Sequence, residues 1–429
     1  MDGGRAQDEM ACGGGFELLR DFVRNHIFER FPTVFGAAIG AASVALFAWA
    51  AALFADPSRV ADPALLRAAL VATALGAAFI PSLTRLARHH AWASAAEPIV
   101  FAAGFSVVTV AAAVVASLFV LTAFALLFAA LGLPASAGIW LLRAGSVAGA
   151  ALAGAALAYG FASHGGGVEV TRHRIELDAL PAALAGLRIA HLSDLHIGNG
   201  TEGARLEEIV ARTNALGADL IALSGDLFDN DAEVLAEGAC ALAKLAAPLG
   251  VYAVLGNHDG FIGSDDVAAA LAAHAPGIEV LRGRFVRAGA QPPLYVAGFD
   301  DPGHDWRHGD PLPELESLGR TRPSDGPCVL LMHRPDAFER AAALGFALVL
   351  SGHFHGGQVA LPLAGGRWNA ARLLTRYDRG LYREAGAALY VSRGLGFAGP
   401  RLRFASRPEI ALHELRPTAR SLDSRGGLV

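Results

Sequence analysis

The sequence predicts a helical membrane bundle followed by a layered α/β domain. Three observations carry that prediction. Charge is unevenly spread: the 429-residue chain holds 35 Lys and Arg and 40 Asp and Glu, yet from Phe31 to His164 only Asp56, Arg59, Asp62, Arg67, Arg85, Arg88, Glu97 and Arg143 are charged. That same block contains uncharged apolar runs long enough to cross a bilayer. Beyond it, short apolar runs alternate with alanine-rich stretches, and acidic, histidine and amide residues gather where the apolar runs end.

Residues 1–33 are polar and mixed in sign, without the basic-then-apolar order of a cleaved signal peptide. Residues 34–163 form the membrane domain, with about four transmembrane helices. Val34 to Ala55 holds 22 uncharged residues, against about 20 needed for the hydrocarbon core. Asp56-Pro57 ends it. Ala68 to Thr84 is shorter, and Arg67 and Arg85 at its ends can snorkel. Pro98 to Leu133 has 36 residues without charge. As one helix it is about 54 Å long, and its middle, Val107 to Leu121, lacks the Pro or Gly that a turn would use. One long helix is therefore expected, then a loop at Pro134–Gly138 and a last span ending at Ser163. Four spans put both ends on one side. The arginines there (Arg20, Arg24, Arg30, Arg85, Arg88, Arg172, Arg174) outnumber those opposite (Arg59, Arg67, Arg143). The expectation is a multi-pass protein of the bacterial inner membrane with its C-terminal domain in the cytoplasm.

Residues 164–185 are a linker and a first strand: Gly165-Gly-Gly167 supplies a joint, and Val168 to Leu177 begins with the alternation of a strand. Residues 186–415 read as one α/β domain. Leu187–Leu192, Leu220–Leu223, Val251–Leu255, Tyr295–Gly298, Val329–Met332 and Ala347–Leu350 are strands. Ala204–Leu216, Ala232–Ala247 and Val267–His274 are helices. Helices between buried strands imply an α/β layered sheet, whose chemistry gathers beyond the strand ends. Residues 416–429 are a tail.

Composition excludes several functions. Global disorder needs low hydrophobicity and high charge, whereas this chain is 53% hydrophobic with mean hydropathy +0.40. A net charge of −5 argues against a nucleic-acid partner. Cys12, Cys240 and Cys328 are too few and too far apart for a disulfide framework or a thiolate zinc site.

The strand ends carry Asp194-Leu-His196, Gly225-Asp226-Leu-Phe-Asp229, Gly256-Asn257-His258-Asp259, His333 and Gly352-His353-Phe-His355. All the ligand types are carboxylate, imidazole or amide, which suit two divalent metal ions such as Mn, Fe or Zn. Each motif alone is commonplace. Five in this order, each after an apolar run, form a set. Two-residue spacing on an extended segment would aim Asp194 and His196, and likewise His353 and His355, to one side. Two ions a few ångströms apart need a shared ligand, and an aspartate can bridge them.

That order of motifs resembles the calcineurin-like metallophosphoesterases over roughly Arg188 to Leu412. "LSDLHIG", "LSGDLFDN", "GNHD" and "GHFHGGQ" are most similar to the YaeI/YkuE-type branch. With its apolar N-terminal block the chain is similar to the group described as transmembrane protein with metallophosphoesterase domain. One departure is Phe354, where that family usually has threonine. The resemblance implies an α/β/β/α metallophosphoesterase sandwich. It implies that Asp194, His196, Asp226 and His355 hold one metal, and that Asp226, Asn257, His333 and His353 hold the second. It also implies that His258 is the catalytic acid, oriented by Asp229. Gln358 and Arg393 are candidate substrate contacts.

The resulting expectation is a membrane-anchored phosphoesterase. Its partners would be the lipid bilayer and a phosphorylated, lipid-linked substrate such as UDP-2,3-diacylglucosamine, as in lipid A biosynthesis. The alternative is a non-enzymatic membrane sensor or transporter that uses the fold as a scaffold. The complete ligand set and the lack of central charges in the spans speak against it.

Overall fold

A computed structural model describes residues 31–54, 67, 71–75, 78–80, 82, 91–163, 167–178, 180–289, 292–303, 311–361 and 368–418. The polar N-terminal segment, the Asp56-Pro57 stop, Gly165-Gly166 of the joint and the end of the C-terminal tail lie outside these residues. The chain divides into two compact units, Met1–Ala162 and Ser163–Val429.

The first unit contains α1 (Phe31–Phe54), α2 (Ala91–Ala130) and α3 (Ala135–Ser163). The long uncharged run lies, as far as Ala130, in one unbroken helix of 40 residues that begins at Ala91, about 60 Å at 1.5 Å per residue. Gly132, at φ 73°, provides the left-handed turn that commonly ends a helix. The loop is shorter than expected, because α3 starts at Ala135 directly after Pro134, a residue suited to a helix start. Two segments among the described residues are long and apolar enough to cross a membrane, Ala103–Phe128 and Ser136–Ala162; Thr33–Leu46 and Val71–Ile80 are shorter apolar helices. Small residues bring these helices close: a Cβ on Gly149 would meet Ser117 Cβ at 3.2 Å.

The second unit is a sandwich of two six-stranded sheets. The first sheet has the order β1-β14-β2-β3-β4-β5, with β1 Glu169–Leu177, β2 Arg188–Leu192, β3 Leu220–Ser224, β4 Val251–Val254, β5 Ile278–Val280 and β14 Glu409–Pro417. The second has the order β12-β13-β9-β8-β7-β6, with β6 Arg284–Ala288, β7 Leu294–Gly298, β8 Cys328–Leu331, β9 Leu348–Ser351, β12 Gly380–Glu384 and β13 Ala387–Val391. Strands β2 to β5 are mutually parallel, as are β7, β8, β9 and β13. Strand β1 is built into this sandwich, pairing in parallel with β14.

Two-residue alternation on fully buried strands sorts the core into three layers. On β3, Leu220 and Ala222 face the second sheet and join Val254, Val296, Val329 and Leu350. Ile221 and Leu223 face outward onto Leu206 and Ile209 of α4 (Ala204–Ala215), Leu242 of α5 (Leu235–Leu242) and Leu271 in the helix Ser264–His274. Helix α6 spans Asn257–Ile262 and α7 spans Ser264–His274. The outer face of the second sheet packs Leu330, Val349 and Leu389 against Leu315 of α8 (Leu312–Thr321) and Phe338 of α9 (Phe338–Ala343). The domain is therefore an α/β/β/α sandwich.

One polar cluster interrupts the inter-sheet layer. The rings of His191, His413 and Tyr390 lie 4.5–6.0 Å apart. His191 Nε2 is 2.8 Å from Ser224 Oγ, whereas both ring nitrogens of His413 are buried without a hydrogen-bond partner. Burial pushes His191 down to about 3 and His413 well below the usual value of 6.5. The unfolded chain then binds protons that the folded chain refuses. The stability tied to these histidines is fully present above pH 6.5 and is lost as pH falls, at up to about 1.4 kcal/mol per histidine per pH unit. His413→Phe is expected to raise stability by about 1–3 kcal/mol at neutral pH and to flatten the acid slope. Thermal melts from pH 7 to pH 4 test both effects. A lower melting temperature at neutral pH would show that the nitrogens are satisfied.

Candidate metal centre and active site

Five loops at the carboxyl ends of the inner strands meet at one place. Asp194 and His196 follow β2, Asp226 and Asp229 follow β3, Asn257 and His258 open α6 after β4, His333 follows β8, and His353 and His355 follow β9. All nine residues expected from the sequence as metal ligands or acid–base groups come together.

They form two clusters. In the first, His196 Nε2 is 3.1 Å from His355 Nε2, His355 Nε2 is 3.4 Å from Asp194 Oδ1, and His196 Nε2 is 3.6 Å from Asp226 Oδ2. In the second, His333 Nε2 is 3.1 Å from the same Asp226 Oδ2, 3.2 Å from Asn257 Oδ1 and 3.3 Å from His353 Nδ1. One carboxylate oxygen thus stands between both groups. Spacings of about 3.0–3.5 Å are what ligands on one cation at roughly 2.1 Å produce. Asp194 Oδ2 is buried with no partner, an orphan acceptor of the kind a cation satisfies. The donor set is all nitrogen and oxygen, without sulfur. These residues fit a hard or borderline divalent ion.

The backbone that delivers them differs from the extended segments expected. Asp194, His196, Asp226, His353 and His355 have φ of 51°, 46°, 51°, 74° and 52°. The ligands converge because the chain turns left-handed at each of them, at a cost of order 1–3 kcal/mol per residue. Cross-loop bonds hold the turns: Asp194 N donates to Gly225 O at 3.0 Å, and His196 N donates to Asp226 O at 3.1 Å. Gly225 (φ 98°) is needed twice over, since a Cβ there would also lie 2.7 Å from His333 Nδ1.

A shell behind the ligands fixes their orientation. His333 Nδ1 donates to Ser224 O at 2.9 Å, which leaves Nε2 free to ligate. Asp229 Oδ1 lies 2.9 Å from His196 Nδ1 and 2.9 Å from His258 Nδ1, so one carboxylate serves a ligand and the acid candidate. Burial opposes charge on His258, but Asp226 and Asp229 outweigh it and raise its pKa to about 9. The imidazole is therefore a proton donor near neutral pH. Phe261 packs edge-on against it at 4.8 Å.

Several residues have roles here that the sequence did not assign. Asp259 accepts from Gly256 N at 2.8 Å, Phe228 N at 2.9 Å and Leu227 N at 3.2 Å, welding the loop after β3 to the loop after β4. An acid at the third position of α6 was the available signal. Asp301 grips Arg334, beside His333, at 2.6 and 2.7 Å. Arg403 is fully buried and approaches His355 Nδ1 at 3.1 Å.

The two expected substrate contacts, Arg393 and Gln358, each hold partners within the fold. Arg393 binds Glu409 at 2.6 Å and Glu169 at 3.0 Å, because buried Glu409 requires a cation. Gln358 gives its amide to Ala398 O and Pro400 O and accepts from Ala398 N, closing a loop.

Fold and site together define a domain of the metallophosphoesterase type, with clustered His and Asp side chains that could hold metal ions. Residues 187–357 match the family described as calcineurin-like phosphoesterase. The chain is 31% identical over 288 residues to the uncharacterized metallophosphoesterase YkuE of Bacillus subtilis, covering 61% of this chain and 94% of that one. It is 33% identical over 247 residues to an uncharacterized metallophosphoesterase of Aquifex aeolicus, covering 57% and 90%. It is 32% identical over 267 residues to the transmembrane protein with metallophosphoesterase domain of Danio rerio, covering 59% and 58%. The chain thus spans little more than half the length of that relative. It belongs to the calcineurin-like metallophosphoesterase family.

Proposed function

We propose that the protein is a membrane-anchored phosphoesterase that uses two divalent cations to hydrolyse a phosphoester or pyrophosphate bond in a lipid-linked substrate. The observation that carries this reading is Asp226 Oδ2, within 3.6 Å of His196 Nε2 and 3.1 Å of His333 Nε2 and so shared by two ligand clusters. Asp194, His196, Asp226 and His355 would hold one cation, and Asp226, Asn257, His333 and His353 the other. Manganese, iron and zinc all suit this donor set. Bound there, a cation pair polarises water and neutralises phosphate charge.

The chain's own residues do the rest. Ser224 O and Asp229 keep the tautomers of His333 and His196 correct for ligation. His258, held charged by Asp226 and Asp229, donates a proton to the departing oxygen or a hydrogen bond to the phosphate. The buried, welded loops keep these groups from reorganising during reaction.

The apolar N-terminal helices support a substrate at the bilayer, such as a nucleotide-activated glycolipid of the UDP-2,3-diacylglucosamine type used in lipid A biosynthesis. The arginine distribution supports a bacterial inner membrane location with the catalytic unit in the cytoplasm. A fully assembled ligand set does not favour the scaffold alternative.

Purified protein with Mn²⁺ is expected to hydrolyse bis-p-nitrophenyl phosphate. His258→Ala should lower kcat by about 10²–10⁴ with metal content unchanged. Full activity in that variant would remove His258 from the mechanism. Profiling of phospholipid and glycolipid diphosphates tests the substrate class, and a periplasm-dependent reporter fused after Val429 tests the side of the membrane.

A further inference from the structure

Two serine hydroxyls connect the buried histidine of β2 to the metal centre. His191 Nε2 lies 2.8 Å from Ser224 Oγ, and Ser224 Oγ lies 2.8 Å from Ser193 Oγ. Ser193 stands directly before Asp194. Gly352 opens the loop that runs from β9 to the short ribbon of β10 (Ala360–Leu361) and β11 (Trp368–Asn369). A Cβ on Gly352 would overlap both Ser193 Oγ and Asp194 Oδ2, so hydroxyl and carboxylate are packed together. Burial pushes the Asp194 pKa up, and the Ser193 hydroxyl is one of the groups that favour its charged form, by hydrogen bonding. His191, Ser193, Asp194 and Ser224 are all fully buried.

The chemistry of these groups gives the chain one direction. A carboxylate only accepts, and a serine hydroxyl has a single hydrogen to donate. Ser193 therefore donates to Asp194 and accepts from Ser224. Ser224 in turn accepts from the Nε2–H of His191. That tautomer leaves Nδ1 without a hydrogen, and Nδ1 is the His191 nitrogen that has no partner among the described residues. Burial, with His173 nearby, holds the ring neutral and its pKa down at about 3, so the direction is the same throughout the neutral range.

Ser224 also serves the other cluster. Its carbonyl accepts from His333 Nδ1 at 2.9 Å, while its hydroxyl leads toward Asp194. Asp194 has one further anchor: Oδ1 accepts from His353 N at 2.9 Å. A single bond on one oxygen lets a carboxylate tilt about it, and a hydroxyl held from behind removes that freedom.

We infer that His191, Ser224 and Ser193 form a directed hydrogen-bond relay that positions the Asp194 carboxylate for the first cation. They are positioning residues, acting through Asp194 rather than on the cation. This rests on the two-cation reading above and extends it to three residues outside the ligand set. Hydrogen bonds that orient a metal ligand are commonly worth about 10–100-fold in metal affinity.

The test is Mn²⁺ binding to the full chain in detergent, followed by the electron paramagnetic resonance signal of the free ion. The parent should bind two ions per chain. In Ser193→Ala and in Ser224→Ala, one of the two should bind about tenfold more weakly. The double variant should lose no more than either single one, because both cut the same relay. His191→Gln, whose amide can donate from the Nε2 position, should bind like the parent, and His191→Leu like the serine variants. A general loosening of the core would instead weaken both ions and would not be rescued by glutamine. Unchanged affinity in both serine variants, or equal losses in His191→Gln and His191→Leu, would overturn the inference. If a serine variant failed to fold, the two His191 variants would decide on their own. A parent that binds no Mn²⁺ would refute the two-cation reading itself, and the relay with it.

Discussion

Asp226→Asn is expected to abolish phosphodiester hydrolysis, with kcat falling at least about a thousandfold. The substitution is isosteric but removes the one negative charge that both ligand clusters share. Asp226 is buried, and burial opposes its charge. His333, His258 and His196 outweigh that and hold its carboxyl well below the ordinary range. Asn can still accept from His258 N, the partner of Oδ1 at 2.8 Å, so the loop keeps its shape. Without the charge, cations at either cluster lose several kcal/mol of attraction, and each 1.4 kcal/mol is tenfold. Metal analysis should show occupancy near two ions per chain in the parent and well below that in the variant. Circular dichroism should show no loss of structure. Retained activity with retained metal would mean that the clusters do not share Asp226.

How far the sequence alone exposes this molecule depends on the range of the interaction concerned. The strands β2, β3 and β4 are legible because both faces of each are buried, and Leu220-Ile-Ala-Leu223 can be little else. The ligand set is legible because its residue types cluster at strand ends, where an α/β sheet places its chemistry. Backbone conformation is not legible. Asp194 and His196 occupy left-handed turns in a loop packed closely against Gly352, Gly394 and Gly396: a Cβ on Gly394 would lie 2.7 Å from Asp194 Cβ. Those neighbours come from chain more than 150 residues away. Arg393 shows the same limit. An arginine near a phosphate site reads as a clamp until its partner is known, and that partner, Glu409, lies on a strand whose pairing with β1 no local pattern announces. The short helix α5 is a milder case. Ala232 to Ala247 reads as one alanine-rich helical stretch, yet a 3₁₀ turn at Ala232–Val234 precedes it and the helix ends at Leu242.

Gly256→Ala isolates steric crowding from chemistry at the same centre. Gly256 has φ −94° and ψ −175°, an extended conformation that alanine adopts freely. The backbone therefore does not demand glycine there, but the space does. A Cβ would overlap Asp226 Oδ1 and the Asp226 amide and lie 2.8 Å from Asp226 Cγ. Asp226 cannot retreat, because the loop that carries it is pinned to α6 by Asp259. Overpacking of this kind costs about 1–3 kcal/mol. The larger expected effect is functional: displacing the shared carboxylate should lower kcat at least about a hundredfold and reduce metal occupancy at both clusters. Gly277→Ala is the control, since nothing lies within 4 Å of its Cβ position, and it should leave activity and melting temperature unchanged. If Gly256→Ala lowered stability but kept full activity, the Asp226 loop would be adaptable, and the claim that close-packed loops hold the two clusters to a common carboxylate would fail.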